Sequence, residues 1–301
     1  MDDADRLNGA LLGGAFGDAV GGPFEGAASE QIPPRPCEAF DPSSVSFSDD
    51  TQLTLATCQT LIRTRGVVDP AELAAEFLAW FRAGRLSGLG ASTLKALIDL
   101  EAGGHWALVG RKGEQAAGNG AAMRIAPMAF FVNPQSTADR RALRDVCRIT
   151  HHNEEAYAGA LAVVLAIELI RIDQWSNDRS ALLAVTNSLI DSVTRDKLVE
   201  MAGETNLSVN AAARKYGCSG YVADSVPLAL FAASRVTESN FREVLDEVIA
   251  AGGDTDTNAA IFGNIAGALL GHSGLPEPVR AIDHDGELCS IGTALGKLIG
   301  S

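Results

Sequence analysis

Cysteine is sparse and unpatterned in this chain: Cys37, Cys58, Cys147, Cys218 and Cys289 are the only five in 301 residues, and no two are spaced as CxxC. An odd, scattered set gives no disulfide framework and reads as free buried thiols in a reducing compartment. Basic residues are also short, with 24 Lys and Arg against 38 Asp and Glu, a formal net charge of -14. Such a surface repels phosphate backbones and anionic membranes, so stable nucleic-acid binding is not expected, although a small anion in a local pocket is not excluded. No apolar run is long enough to span a bilayer: the longest, Ala156 to Ile170, carries Glu168. The opening MDDADRLNGALLGG lacks the basic region of a signal peptide. A cytoplasmic monomer without a membrane anchor is therefore expected. No Pro/Gly/Ser-rich linker divides the chain, so residues 1–301 read as one domain.

What is abundant is helical periodicity. In Ser239–Ala251, residues Phe241, Val244, Leu245, Val248 and Ile249 recur at i, i+3, i+4, i+7 and i+8, with Ser239 placed as N-cap and Gly252-Gly253 as the stop. Ala71–Phe81 repeats the pattern through Leu73, Phe77, Leu78 and Phe81. Asp224 is expected to cap a helix that keeps Pro227 in its first turn. Further helices are predicted over 6–19, 51–65, 93–100, 139–148, 154–172, 180–202, 257–270 and 288–299. Strand alternation hardly occurs and no βαβ rhythm emerges. The fold class is all-α, a single compact multi-helix domain.

Several motifs fail on spacing. Gly9–Gly26 is glycine-rich but matches no phosphate-binding loop, and its glycines read as allowing close helix packing. GCSG (217–220) and GHSG (271–274) miss the nucleophile-elbow pattern. LSVNAAARKYGCS (207–219) looks like a helix-turn-helix, yet only Arg214 and Lys215 there can meet phosphate. His152 and Glu155 share a helix face, but no second such pair supports a di-iron bundle.

Two acidic clusters carry more. Ser48-Asp49-Asp50-Thr51 and Asp254-Thr255-Asp256-Thr257 each precede an apolar helical run. Either alone is an ordinary cap, since Ser, Thr and Asp satisfy helix-start amides and the dipole favours carboxylates. Together they offer only hard oxygen ligands, which suit Mg²⁺ or Mn²⁺ better than Zn²⁺. A calcium EF-hand is excluded, because Ala259 and Ile265 stand where its glycine and bidentate glutamate belong.

With these clusters in view, the chain resembles the ADP-ribosylglycohydrolase family, which includes the dinitrogenase reductase-activating glycohydrolases and the ADP-ribosyl-acceptor hydrolases. Five segments carry the likeness in family order: GALLGGAFGDAVGGPFEG, FSDDTQLTL, GNGAAMRIAP, THHNEEAYAGA and AGGDTDTNAAIFGNIAGALLG. The resemblance implies an all-helical fold with a binuclear centre of two Mg²⁺ or Mn²⁺ ions in a cleft, ligated by Ser48, Asp49, Asp50, Asp254, Asp256 and Thr257. It also implies Glu25 as acid/base, with Asp49 orienting water. Gly90, Asn119, Gly120, Met123, His151 and Tyr221 are implied as substrate-binding. The sequence departs from the family pattern at Gly88, where relatives often carry the Asp of a DIG segment, and at Ala121, where they carry Ser; Ala116 and Ala117 also lack polar side chains. These changes touch the leaving-group side and pocket shape, while backbone amides there can still hold phosphate.

The implied reaction is hydrolysis of the bond joining ADP-ribose to a modified side chain, arginine favoured. Serine-linked or other O-linked ADP-ribose, an ADP-ribosylated nucleic-acid end and O-acetyl-ADP-ribose remain open as substrates. So does a non-catalytic ADP-ribose-binding relative, as in the lens crystallins of this fold.

Overall fold

A computed structural model describes residues 1–41, 45–237, 239–283 and 286–299. Its α-helices, in chain order, begin with α1 (Asp3–Gly21), the short α2 (Pro36–Ala39), α3 (Asp49–Arg63), α4 (Pro70–Arg82), α5 (Ala91–Glu101) and α6 (Trp106–Val109). The middle of the chain forms α7 (Thr137–Arg148), α8 (Glu154–Arg171), α9 (Ser180–Thr186), α10 (Val193–Gly203) and α11 (Val209–Tyr216). It closes with α12 (Val222–Ala233), α13 (Phe241–Ala250), α14 (Thr255–Gly274), α15 (Glu277–Arg280) and α16 (Glu287–Ile299). Among the described residues the only sheet is a two-residue parallel pair, β1 (Arg111–Lys112) with β2 (His151–His152). The fold is therefore all-α. No helix among the described residues is long and apolar enough to cross a membrane.

The core is organised by α1 lying antiparallel on α14. Gly9, Gly13, Gly17 and Gly21 recur every fourth residue, so they form one stripe along α1. They meet Gly267, Gly263, Ala259 and Thr255 of α14 in reverse order. A Cβ added at Gly13 would lie 2.3 Å from the Gly263 carbonyl oxygen, and one at Gly17 would lie 2.1 Å from that of Ala259. Without side chains between them, the two backbones touch. This contact sets the site, because it brings the C-terminal end of α1 against the N-terminal end of α14. The α8 and α12 helices, buried nearly all round, complete the interior.

Three local expectations are corrected. The stretch 180–202 is two helices, since Ser192 caps α10 by accepting from the Arg195 N–H, and Glu155 accepts from the N–H groups of Val193 and Thr194. That work also explains Glu155 without a metal. The cap of α13 is Asn240, not Ser239. Tyr221, not Asp224, caps α12, so Pro227 falls inside the helix, beyond its first turn. Asp224 instead pairs with Lys197 at 2.5 Å.

Candidate active site

Two helix starts converge on one point. Ser48 caps α3, its Oγ accepting from the Asp50 N–H, which places Asp49 and Asp50 in the first turn. Asp254 caps α14, with Asp256 and Thr257 in its first turn. Thr257 Oγ1 donates to Asp50 Oδ2 across 3.2 Å, and Ser48 Oγ donates to the same oxygen across 3.0 Å. Clusters some two hundred residues apart in sequence thus share a hydrogen-bond network.

A loop pairing adds Glu25. The Gly26 N–H donates to the Gly253 carbonyl at 2.8 Å, and the Gly253 N–H donates to that of Ala27 at 3.3 Å. Gly253 sits at φ +77, and a Cβ on it would lie 2.4 Å from the Cys218 carbonyl oxygen, so the position suits glycine on two counts. Carboxylate oxygens of Glu25, Asp254 and Asp256 lie within 4.8 Å of one another.

A second triad of the same span joins Asp50 and Asp256 to Asp18, which the sequence reading did not single out. Asp18 is buried on α1 and accepts from the Ser48 N–H, the Thr51 N–H and, at 2.5 Å, Thr51 Oγ1. It ties α1 to the start of α3. The available signal was its isolation: it is the sole charged residue between Arg6 and Glu25, within a helix of small and apolar residues. A carboxylate there must be buried, and a buried carboxylate must have partners.

Crowding governs the electrostatics. Burial, then the neighbouring Asp18 charge, pushes Asp49 up to about 7, against the lowering influence of Arg124. Burial and hydrogen bonding with Asp254, with the charges of Asp254 and Glu25 adding, push Asp256 up to about 8. Burial and four surrounding aspartates hold Asp50 well above the usual carboxylate range, and burial raises Asp18. Exposed Glu25 is raised by partial burial and by Asp254. Carboxylates packed this way call for a cation. Asp50 Oδ1 is buried with no hydrogen-bond partner among the described residues, and the donor set is all oxygen. The residues present fit a hard divalent ion.

The same carboxylates open into a cleft of about 230 Å³ lined by Gly90, Asn119, Gly120, Met123 and His151. An antiparallel bridge, with the Asn119 N–H donating to the Gly220 carbonyl at 3.1 Å and the Val222 N–H to that of Ala117 at 2.9 Å, holds the GNG loop over Asp254. Asn119 Nδ2 then donates to Asp254 Oδ2 at 2.8 Å. His151 is set by the parallel pairing with Arg111. Burial, then the charges of Arg124 and Arg111, lowers it to about 3, so it is neutral. Gly90 begins α5 without a side-chain cap, leaving first-turn amides facing the cleft beside Ala91, Ser92 and Thr93. Ser48 lies one step away, in an adjoining cleft. Tyr221 takes part through the backbone bridge, while its ring is exposed and does not line this cleft.

Comparison with known proteins identifies the family and the fold. Residues 1–300 match the family model described as ADP-ribosylglycohydrolase. A protein of Archaeoglobus fulgidus is 30% identical, the match covering 88% of this chain and 87% of that one. The ADP-ribosylarginine hydrolase Tri1 of Pseudomonas putida is 29% identical, covering 90% and 72%. The ADP-ribosylhydrolase ARH3 of Danio rerio is 26% identical, covering 90% and 84%. A solved ADP-ribosylglycohydrolase-related protein superposes with a TM-score of 0.77 at 26% identity, covering 99% of each chain.

Proposed function

The chain belongs to the ADP-ribosylglycohydrolase family, and from that premise we propose that it hydrolyses the bond between ADP-ribose and an arginine side chain in a metal-dependent reaction. Enzymes of this family act on ADP-ribosylated substrates, and this chain is an ADP-ribosyl hydrolase. The arginine linkage is supported by the likeness to Tri1 along 90% of the chain.

The observation that carries the reading is the meeting of Asp49-Asp50 with Asp254-Asp256 beside Glu25, at the mouth of a cleft rich in N–H donors. Ser48, Asp49, Asp50, Asp254, Asp256 and Thr257 would hold two divalent ions of the Mg²⁺ or Mn²⁺ kind. When bound, such ions supply Lewis acidity and lower the pKa of nearby water. The uncapped first turn of α5, the Asn119–Gly120 turn and His151 offer donors to the diphosphate of the ligand. Glu25, with its raised proton affinity beside Asp254, takes the proton of the water that attacks the ribose anomeric carbon. The C–O bond forms as the C–N bond to the guanidine breaks, and Glu25 passes the proton it took from the water to the departing nitrogen. Asp49, which accepts from the Gly90 amide, orients that water.

The test is release of free ADP-ribose from arginine-, serine- and threonine-linked ADP-ribosyl peptides with Mg²⁺, with Mn²⁺ and with EDTA. Release from the arginine peptide that EDTA abolishes is expected. Release from serine or threonine peptides alone would overturn the linkage, and EDTA-resistant release would overturn the metal requirement.

A further inference from the structure

A second cleft adjoins the carboxylate centre, and its chemistry is the opposite of the first. It has a volume of about 500 Å³ and shares Glu25, Gly88 and Asp256 with the smaller cleft. Beyond that shared edge its lining changes character. Phe24, Phe40 and Phe47 are half-buried there, and Asp41 stands at its exposed edge. Among the described residues that line it there is no Lys, Arg or His.

The Phe40 ring is not free to fold away. It stacks edge-on against Phe16 of α1, with centroids 5.5 Å apart, so the aromatic wall is anchored to the core. Gly88 lines both clefts and sits at φ +75, a conformation that favours glycine; a Cβ there would make ordinary contact with Ser48 Cβ at 3.5 Å and Asp49 Oδ1 at 3.7 Å.

We infer that this Phe24–Phe40–Phe47 cleft is the acceptor subsite, and that it selects a planar cationic leaving group, a guanidinium, by stacking it on phenyl rings under the charges of Glu25 and Asp41. The inference rests on the hydrolase reading above. A scissile bond held over Glu25 and Asp256 must send its two halves into two spaces. The cleft with helix-start amides and His151 suits the anionic half. The other offers carboxylates and aromatic faces with no cation to repel the guest. Guanidinium stacks on aromatic rings and is weakly hydrated, so it suits such a wall better than a hydroxyl-bearing acceptor does.

The test compares wild type with Phe40→Leu and Asp41→Lys, each loaded with Mn²⁺. One arm measures kcat/KM on arginine- and serine-linked ADP-ribosyl peptides; the other measures, by NMR titration, binding of N-acetylarginine amide to protein saturated with ADP-ribose. Each variant is expected to lower the arginine-over-serine ratio about three- to tenfold, from the usual strength of one cation–π or charge contact, and to weaken the arginine amide equally. Affinity for free ADP-ribose is expected to hold. Unchanged ratio and unchanged amide binding would overturn the subsite while leaving the hydrolase reading intact. Cleft-dependent amide binding without cleavage of either peptide would do the reverse. A loss of ADP-ribose affinity in both variants would place the nucleotide, not the acceptor, in this cleft, and so overturn the assignment.

Discussion

Thr150 Oγ1 lies 2.8 Å from Nδ1 of His151, and this hydrogen bond fixes the orientation of the ring. The same oxygen receives a hydrogen bond from Arg124 Nη2 at 2.7 Å. Guanidinium can only donate, so the threonine oxygen accepts there and keeps its proton and its second lone pair for other partners, His151 Nδ1 among them. The Nε2 edge of the ring is the side packed against Gly118 and Gly120 in the cleft. Arg124 also donates to the Gly120 carbonyl and lies over the Phe77 ring. A buried cation behind the cleft thereby orients both the histidine and the GNG turn.

Replacing Thr150 with valine keeps the shape and removes the relay. Stability should fall by about 1–3 kcal/mol, because a buried guanidinium donor is left unpartnered. Calorimetric affinity for ADP-ribose should drop with it. Wild-type values for both would show that the relay has no role.

Acid should destabilise the fold through His151. In the unfolded chain this histidine takes a proton near 6.5, but in the fold only near 3. Between those values the unfolded state binds the extra proton, so stability is lost as pH falls from about 6.5 toward 3. The slope approaches ~1.4 kcal/mol per pH unit for one proton. Urea denaturation of wild type and His151→Gln at several pH values isolates this contribution, and parallel curves would refute it.

Metal uptake should release protons. The raised values of Asp49, about 7, and Asp256, about 8, mean that the metal-free site holds protons near neutrality. Folded-state values above the unfolded ones also mean that metal-free stability is lost as pH rises through them. Mn²⁺ affinity measured by calorimetry should therefore increase from pH 6 to pH 8, and the melting temperature should rise on loading. Affinity independent of pH over that range would contradict the protonated site.

Glu25→Gln should lower kcat by roughly 10²- to 10⁴-fold, the usual contribution of a general acid/base, while Mn²⁺ and ADP-ribose affinities stay within a few-fold. Asp256→Ala should lose Mn²⁺ affinity as well as turnover. Near-wild-type rates at saturating metal for either variant would sink its assigned role.

Gly17→Ala should cost about 3 kcal/mol or more, since the new methyl meets the Ala259 carbonyl carbon at 2.4 Å and overpacked contacts cost of this order. Gly22→Ala, where nothing lies within 4 Å, serves as the neutral comparison. Chemical denaturation of both reads the difference. Equal stabilities would mean that the α1–α14 contact tolerates separation.

Most helices and both acidic clusters were legible because their signals are local. Apolar spacing at 3.6 residues, a Ser or Asp before it and a glycine after it all act within a few residues of the chain. The glycine stripe of α1 announced close packing, though not its partner. What failed locally was decided elsewhere: the break near Ser192 depends on Glu155, thirty-odd residues away in sequence, and the start of α12 depends on the pairing of Gly118 with Tyr221.

The sequence by itself determined the helical class, the two all-oxygen acidic clusters and the presence of the GNG loop, since residue type and short-range spacing suffice for each. Only the tertiary structure brought Asp18 into the carboxylate centre, set Arg124 and Thr150 behind His151, and divided the site into an amide-lined and an aromatic-lined cleft. Those relationships join residues far apart in the chain, and the physical agent that unites them is the side-chain-free contact of α1 with α14, which draws the acidic ends of separate helices to one point.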